Sequence, residues 1–319
     1  MVFVAFSRGV LIIEGSLSIV LSFASLILLF RRSLLQSQIV SIITSCTHLI
    51  ILGFFISFLQ MHNTCSEVHF ISCSLNPSLS KLSPTSFNFL FTTFVTSFFA
   101  TWKLIPGHSI LQYLMLTRKD ASFLQKVTIA YTMPVLLIVM ELPGTMDILP
   151  PRDRERVLEF IFERVIGIKE DLDSHCAGAP TSFNNPNHRS VLPMLLLLVV
   201  SILLSLGLFL LTSYKSYSFL ISRSSEVSAT TRSLHMRFLI FLFVMQVVPL
   251  AVLILPSFAF IFQIFSARVN YFTNVLSLLL WIIPCLQAGG VLYYVHGYEA
   301  DTKLSAVVPT VRSIRKSKR

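Results

Sequence analysis

Only a few polar side chains in this sequence sit inside apolar surroundings, and any chemistry must centre on them. Lys103 and Glu141 are ionisable residues within the runs TWKLIPG and LIVMELPG. In a bilayer a central charge costs about 3 kcal/mol on insertion scales, so it must face a bundle interior, water or a partner. Lys103 is therefore a candidate ligand contact, or a partner of Glu141 or Glu14. Gln246, Pro249 and Pro256 lie in LHMRFLIFLFVMQVVPLAVLILPSFAFIFQIF (Leu234–Phe265), which has no formal charge from Phe238 onward. Proline lacks an N–H and leaves the carbonyl one turn back, near Met245, without its helical donor. A buried amide such as Gln246 can bond to a neighbouring helix and fix one of two packings. The three residues read as a hinge.

Other kinds of chemistry have no support. There is no CxxC and no Cys/His cluster with zinc spacing. No nucleophile–base pair, phosphate loop or paired-carboxylate site stands out. The expectation is a non-enzyme without cofactor or metal. His108 and His235 read as structural residues.

The elements that must position these residues follow from composition. The 319 residues are 54% hydrophobic and 13% charged, with mean hydropathy +0.76. Soluble domains carry about 25% charged residues. The apolar runs are continuous rather than alternating, which favours helices over a membrane barrel. Seven spans are expected, at about 10–30, 39–59, 87–116, 127–149, 191–212, 238–265 and 272–295. They form a domain over 1–296, followed by a basic tail over 297–319. Residues 60–86 and 213–237 read as polar loops. Within 150–190, RDRERVLEFIFERVIGIKEDL has apolar residues at helical spacing and reads as an amphipathic helix capping one mouth of the bundle. Only Arg8 precedes the first span, and Arg31-Arg32 follows it with no small-x-small site, which argues against a cleaved leader.

Loop charges set the orientation. Arg31-Arg32, the stretch Arg118 to Lys126, the stretch Lys215 to Arg237 and the tail RSIRKSKR are all basic, and all fall on one side. The alternate connections are near neutral. By the positive-inside rule the N-terminus is outside and the tail cytoplasmic. The tail is also placed to bind anionic lipid, at roughly 1 kcal/mol per basic residue near the surface. Cys65, Cys73 and Cys176 then face an oxidising compartment, and one bridge is expected. Cys73–Cys176 is favoured, with Cys65 the alternative partner. Cys46 and Cys285 lie within spans. The fold class is an all-α, seven-transmembrane bundle of the G-protein-coupled-receptor type. A carrier is expected to show paired broken repeats, and a channel a pore-lining stripe; neither stands out.

Three segments carry a resemblance. LHMRFLIFLFVMQVVPLAVLILPSFAF is similar to the sixth helix of the nematode serpentine chemoreceptors, with Gln246, Pro249 and Pro256 in the characteristic places. DRERVLEFIFERVIGI resembles the amphipathic segment before the fifth helix in the Str superfamily (the Str, Srd, Srh and Sri groups). IPCLQAGGVLYYVHGYEAD resembles the end of its seventh helix, with Pro284 and Tyr298. The resemblance implies a chemosensory receptor in the plasma membrane, in cilia or dendrites of sensory neurons. It implies a small-molecule or odorant ligand, a heterotrimeric G protein, the lipid bilayer and no nucleic acid as partners. Lys103, Glu141 and Gln246 would then contact ligand, and Gln112, Tyr113, His235 and Arg237 would face the G protein. Gln112 stands where the family often has Arg, and Glu299 where a basic residue is common, so loss of signalling is an alternative; a ligand-gated channel or transporter subunit is another.

Overall fold

The computed structural model describes residues 2–31, 34–65, 69–118, 120–146, 176–180, 191–223, 227–266 and 278–297. The expected amphipathic helix over 152–172, the start of the seventh span, Tyr298 and the basic tail lie outside these residues.

Seven helices are long and apolar enough to cross a membrane. They are α1 (Val2–Leu29), α2 (Gln36–Leu59), α3 (Pro84–Thr117), α4 (Phe123–Met146), α5 (Val191–Ser222), α6 (Ala229–Ser266) and α7 (Leu279–Gly297). The last opens with a 3₁₀ turn, Leu279–Ile282. Helix is the stable form because it satisfies every backbone group within the segment where water is absent. Several helices run past the apolar windows read from sequence. The stretch 213–237, expected as a polar loop, is largely the end of α5 and the beginning of α6. Hydropathy marks only the part in hydrocarbon, whereas the backbone hydrogen bonds continue into the polar zone.

α3 is the central element and packs against α2, α4, α5 and α6. Ser83 caps its N-terminus, accepting from Ser86 N at 3.2 Å, and Pro84 occupies the first turn, where no donor is needed. α1 and α2 cross closely at Gly15 and Gly53. A Cβ on Gly53 would lie 2.7 Å from the Gly15 carbonyl, so small residues are what allow this approach. Large apolar side chains of α4 and α5 point away from the protein, among them Leu136, Met140, Leu196, Val200 and Leu203. Such a face suits lipid and not water.

The expected polar loop over 60–86 instead carries strands. Gln60 ends α2 in the left-handed conformation (φ 49°), and its carbonyl accepts from Leu75 N at 3.1 Å. The chain then forms β1 (Met61–Cys65) and β2 (His69–Ser74), and β3 (Cys176–Pro180) joins them in an antiparallel sheet of order β1-β2-β3. Its signal is weak because the strands are short and one of their partners is distant in sequence. Met61, Ile71 and Leu75 pack on an aromatic core of Phe87, Phe91, Phe94, Phe98, Trp102 and Trp281. A second core at the other end joins Ile42, Leu49, Ile105, Phe209, Phe238 and Met245.

Candidate functional site

Lys103 is fully buried in the middle of α3, and Glu141 of α4 is 4% exposed. Lys103 Nζ donates to Glu141 Oε2, and Ser201 Oγ of α5 donates to Glu141 Oε1. The isolated charge of the sequence thus becomes one corner of a three-helix network. Two opposite charges and a hydroxyl share the desolvation that each would otherwise bear alone. Of the two acids considered for Lys103, the fold selects Glu141. The backbone carbonyl of Glu14 instead accepts from Cys285 Sγ of α7 at 2.7 Å.

The polar residues nearby on α3 tie it to its other neighbours. His48 Nε2 of α2 lies 3.2 Å from Thr101 Oγ1. His108 Nε2 lies 2.9 Å from Ser45 Oγ of α2, and its Nδ1 lies 2.5 Å from the Tyr131 hydroxyl of α4. Ser109 Oγ lies 2.8 Å from Thr212 Oγ1 and 3.0 Å from Ser213 Oγ of α5. These bonds fix α2, α3, α4 and α5 as one frame. α6 is attached through its backbone carbonyls.

Pro249 is buried in α6 and cannot donate to Met245 O, its partner one turn back. Gln287 Nε2 of α7 donates to that carbonyl at 3.3 Å. Gln246, expected to bond to a neighbouring helix, is fully buried, and neither Nε2 nor Oε1 has a hydrogen-bond partner among the described residues. The amide that meets the proline-freed carbonyl therefore lies on α7, not on α6. Pro256 also falls within α6.

Toward the end marked as cytoplasmic, Gln112 Nε2 of α3 donates to the backbone carbonyl of His235 at 2.9 Å. Gln38 Nε2 of α2 donates to Leu234 O at 3.3 Å. Gln112 and His235 are buried between helices, whereas Tyr113 is half-buried and Arg237 exposed. Of the residues expected to face a G protein, only the last two present surface. At the opposite end Cys73 is disulfide-bonded, and β3 places Cys176 directly across from it. Cys46 and Cys285 are free thiols. His62 of β1 pairs with Cys73 of β2 in the strand register, and burial pushes its imidazole pKa down to about 4. Among the described residues no three His, Cys, Asp or Glu side chains gather to hold a metal ion.

Ser201, Ser109 and Gln287 are the residues that sequence reasoning missed. Gln287 had a usable signal, since it is an amide one turn after Pro284 in an otherwise apolar run. Its target, a carbonyl on another helix, leaves no mark in sequence.

No curated protein matches the chain. The family described as the serpentine type 7TM GPCR chemoreceptor Srh matches residues 47–297, from within α2 to the last residue of α7. With seven membrane-spanning helices around a central α3, and a match over most of its length, the chain belongs to the Srh family of serpentine seven-transmembrane chemoreceptors.

Proposed function

We propose that this multi-pass membrane protein binds a small, odorant-type ligand from the extracellular side and transmits the signal by moving α6 about Pro249. The observation that carries this reading is the mismatch at the hinge. The frame of α2, α3, α4 and α5 is held by side-chain bonds at several levels, whereas α6 is tied to that frame by Gln38 and Gln112 near its start and to α7 through the proline-freed carbonyl of Met245. Beside that tie stands Gln246, buried and unpartnered in this packing. An unsatisfied buried amide costs about 1–3 kcal/mol. A second packing in which Gln246 finds a partner therefore competes within a few kcal/mol, as a two-state element requires. Ligand binding that favours the second packing breaks the Gln112–His235 contact and parts the inner ends of α3 and α6, where Arg237 and Tyr113 meet a heterotrimeric G protein. The charge distribution supports this orientation. A sensory neuron's ciliary or dendritic membrane is the setting that accords with the family.

The experiment is a ligand screen in intact cells with calcium or cAMP readout, using wild type and Gln246→Leu, with epitope tags at both termini. The reading expects an extracellular N-terminal tag, a cytoplasmic C-terminal tag and a response that Gln246→Leu diminishes. An exposed C-terminal tag overturns it.

A further inference from the structure

We propose that Trp102 of α3 and Trp281 at the start of α7 form the ligand-recognition subsite, and that it selects neutral, apolar molecules bearing a hydrogen-bond acceptor, such as ketones, aldehydes or esters. The two indoles share one neighbour. Phe98 meets Trp102 edge-on at 5.4 Å and Trp281 edge-on at 5.1 Å, and Phe94 lies 5.1 Å from Trp281. Trp102 is fully buried and Trp281 is 4% exposed, yet neither indole N–H has an acceptor among the described residues. Buried tryptophans usually place that N–H on a partner. Two unmet donors in one aromatic cluster are an arrangement that an incoming acceptor satisfies.

The surroundings specify the rest of the ligand. Phe91, Phe94, Phe98, Ile71 and Met61 of the same cluster are apolar, which suits a hydrocarbon body. Lys103, next to Trp102 in sequence, is engaged with Glu141, so its charge is already matched. An anionic ligand would lose its hydration there without gaining Lys103 as a counter-charge. The location also serves the hinge. Leu250, Val252 and Leu253 of α6 pack against this cluster, just beyond Pro249. A molecule lodged between the indoles presses on the part of α6 that Pro249 uncouples from the rest.

The proposal rests on the receptor reading for its purpose, but its binding test does not. Trp102 and Trp281 are the chain's only 2 tryptophans, so intrinsic emission reports on this cluster alone. The full-length protein in lipid nanodiscs is titrated with a panel of medium-chain ketones, aldehydes and esters, each beside the alkane of equal length. Saturable emission shifts are expected from acceptor-bearing molecules and not from alkanes. Trp102→Phe and Trp281→Phe each keep a ring and one reporter while removing one donor. Each is expected to weaken acceptor binding about three- to tenfold. Equal responses to alkanes and acceptors in wild type, or unchanged affinity in both variants, overturn the subsite; the wild-type comparison holds even if a variant fails to fold. G-protein activation measured on the same samples separates the two readings. Activation with unaltered emission overturns the subsite and leaves the receptor standing. Selective acceptor binding without activation upholds the subsite and overturns the receptor reading.

Discussion

Gln287 Nε2 donates at 3.3 Å to the carbonyl of Met245, the group that Pro249 leaves without a helical donor. A side chain of α7 thus occupies the weak point of α6. If α6 moves about Pro249 as proposed, removing Gln287 is expected to free that motion, and removing the unpartnered Gln246 to do the reverse. Gln287→Leu is expected to cost the present packing about 1 kcal/mol and raise basal signalling roughly fivefold. Gln246→Leu is expected to stabilise that packing by about 1–3 kcal/mol and lower the ligand response. Basal and stimulated cAMP or calcium, with thermal midpoints in nanodiscs, checks both. Shifts of the same sign in the two variants would sink the hinge.

The Lys103–Glu141 pair is buried and shared with Ser201. Lys103→Met or Glu141→Leu alone strands the other charge, and each is expected to destabilise by about 3–5 kcal/mol. The double substitution leaves nothing stranded and recovers most of the loss. Surface expression and thermal midpoints measure this double-mutant cycle; additive losses would show that the pair does not act as a unit.

Gln112 holds the inner ends of α3 and α6 together through the His235 carbonyl. Gln112→Ala removes about 1 kcal/mol from that contact and is expected to raise basal activity roughly fivefold. Gln112→Arg places a full charge at a fully buried position and is expected to reduce surface expression. An Arg variant that expresses normally with increased coupling would mean that this position opens to the G protein after all.

The disulfide of Cys73 is expected to reach Cys176. The two are direct partners in the strand register, whereas Cys65 pairs with Phe70, about 10 Å further along the ladder. Disulfides span Cα separations of no more than about 7 Å. Non-reducing peptide mapping should recover Cys73 joined to Cys176, and Cys73→Ser should cost about 2–4 kcal/mol. A Cys65–Cys73 peptide would refute the assignment.

His62 is expected to make the sheet sensitive to acid. Its folded value of about 4 lies below the ordinary histidine value of 6.5. Because the unfolded chain takes up the proton first, stability is fully present above 6.5 and is lost as pH falls from there toward 4, by about 3 kcal/mol in all. Thermal midpoints across that window should fall in wild type and fall less steeply in His62→Phe. A parallel decline in both would assign the acid sensitivity elsewhere.

The sequence by itself determined the solvent and the helix count, and its loop charges set the expected direction of the bundle. These depend on summed properties, namely apolar length and the sidedness of Arg and Lys, which survive without contacts. It also marked the residues that needed partners: Lys103, Glu141, Gln246 and Pro249. Tertiary structure decided which partners they found. Lys103 chose Glu141 over Glu14, and Ser201 joined them, because α4 and α5 meet α3 at that depth. Gln287, not Gln246, met the carbonyl freed by Pro249, because α7 presents its amide across the helix boundary. Two indole donors came together on Phe98 from α3 and α7, far apart in the chain. The strand pairing of Cys73 with Cys176 likewise spans the chain between the second and fifth helices. Each of these depends on which faces of distant elements meet, and linear spacing carries no record of that choice.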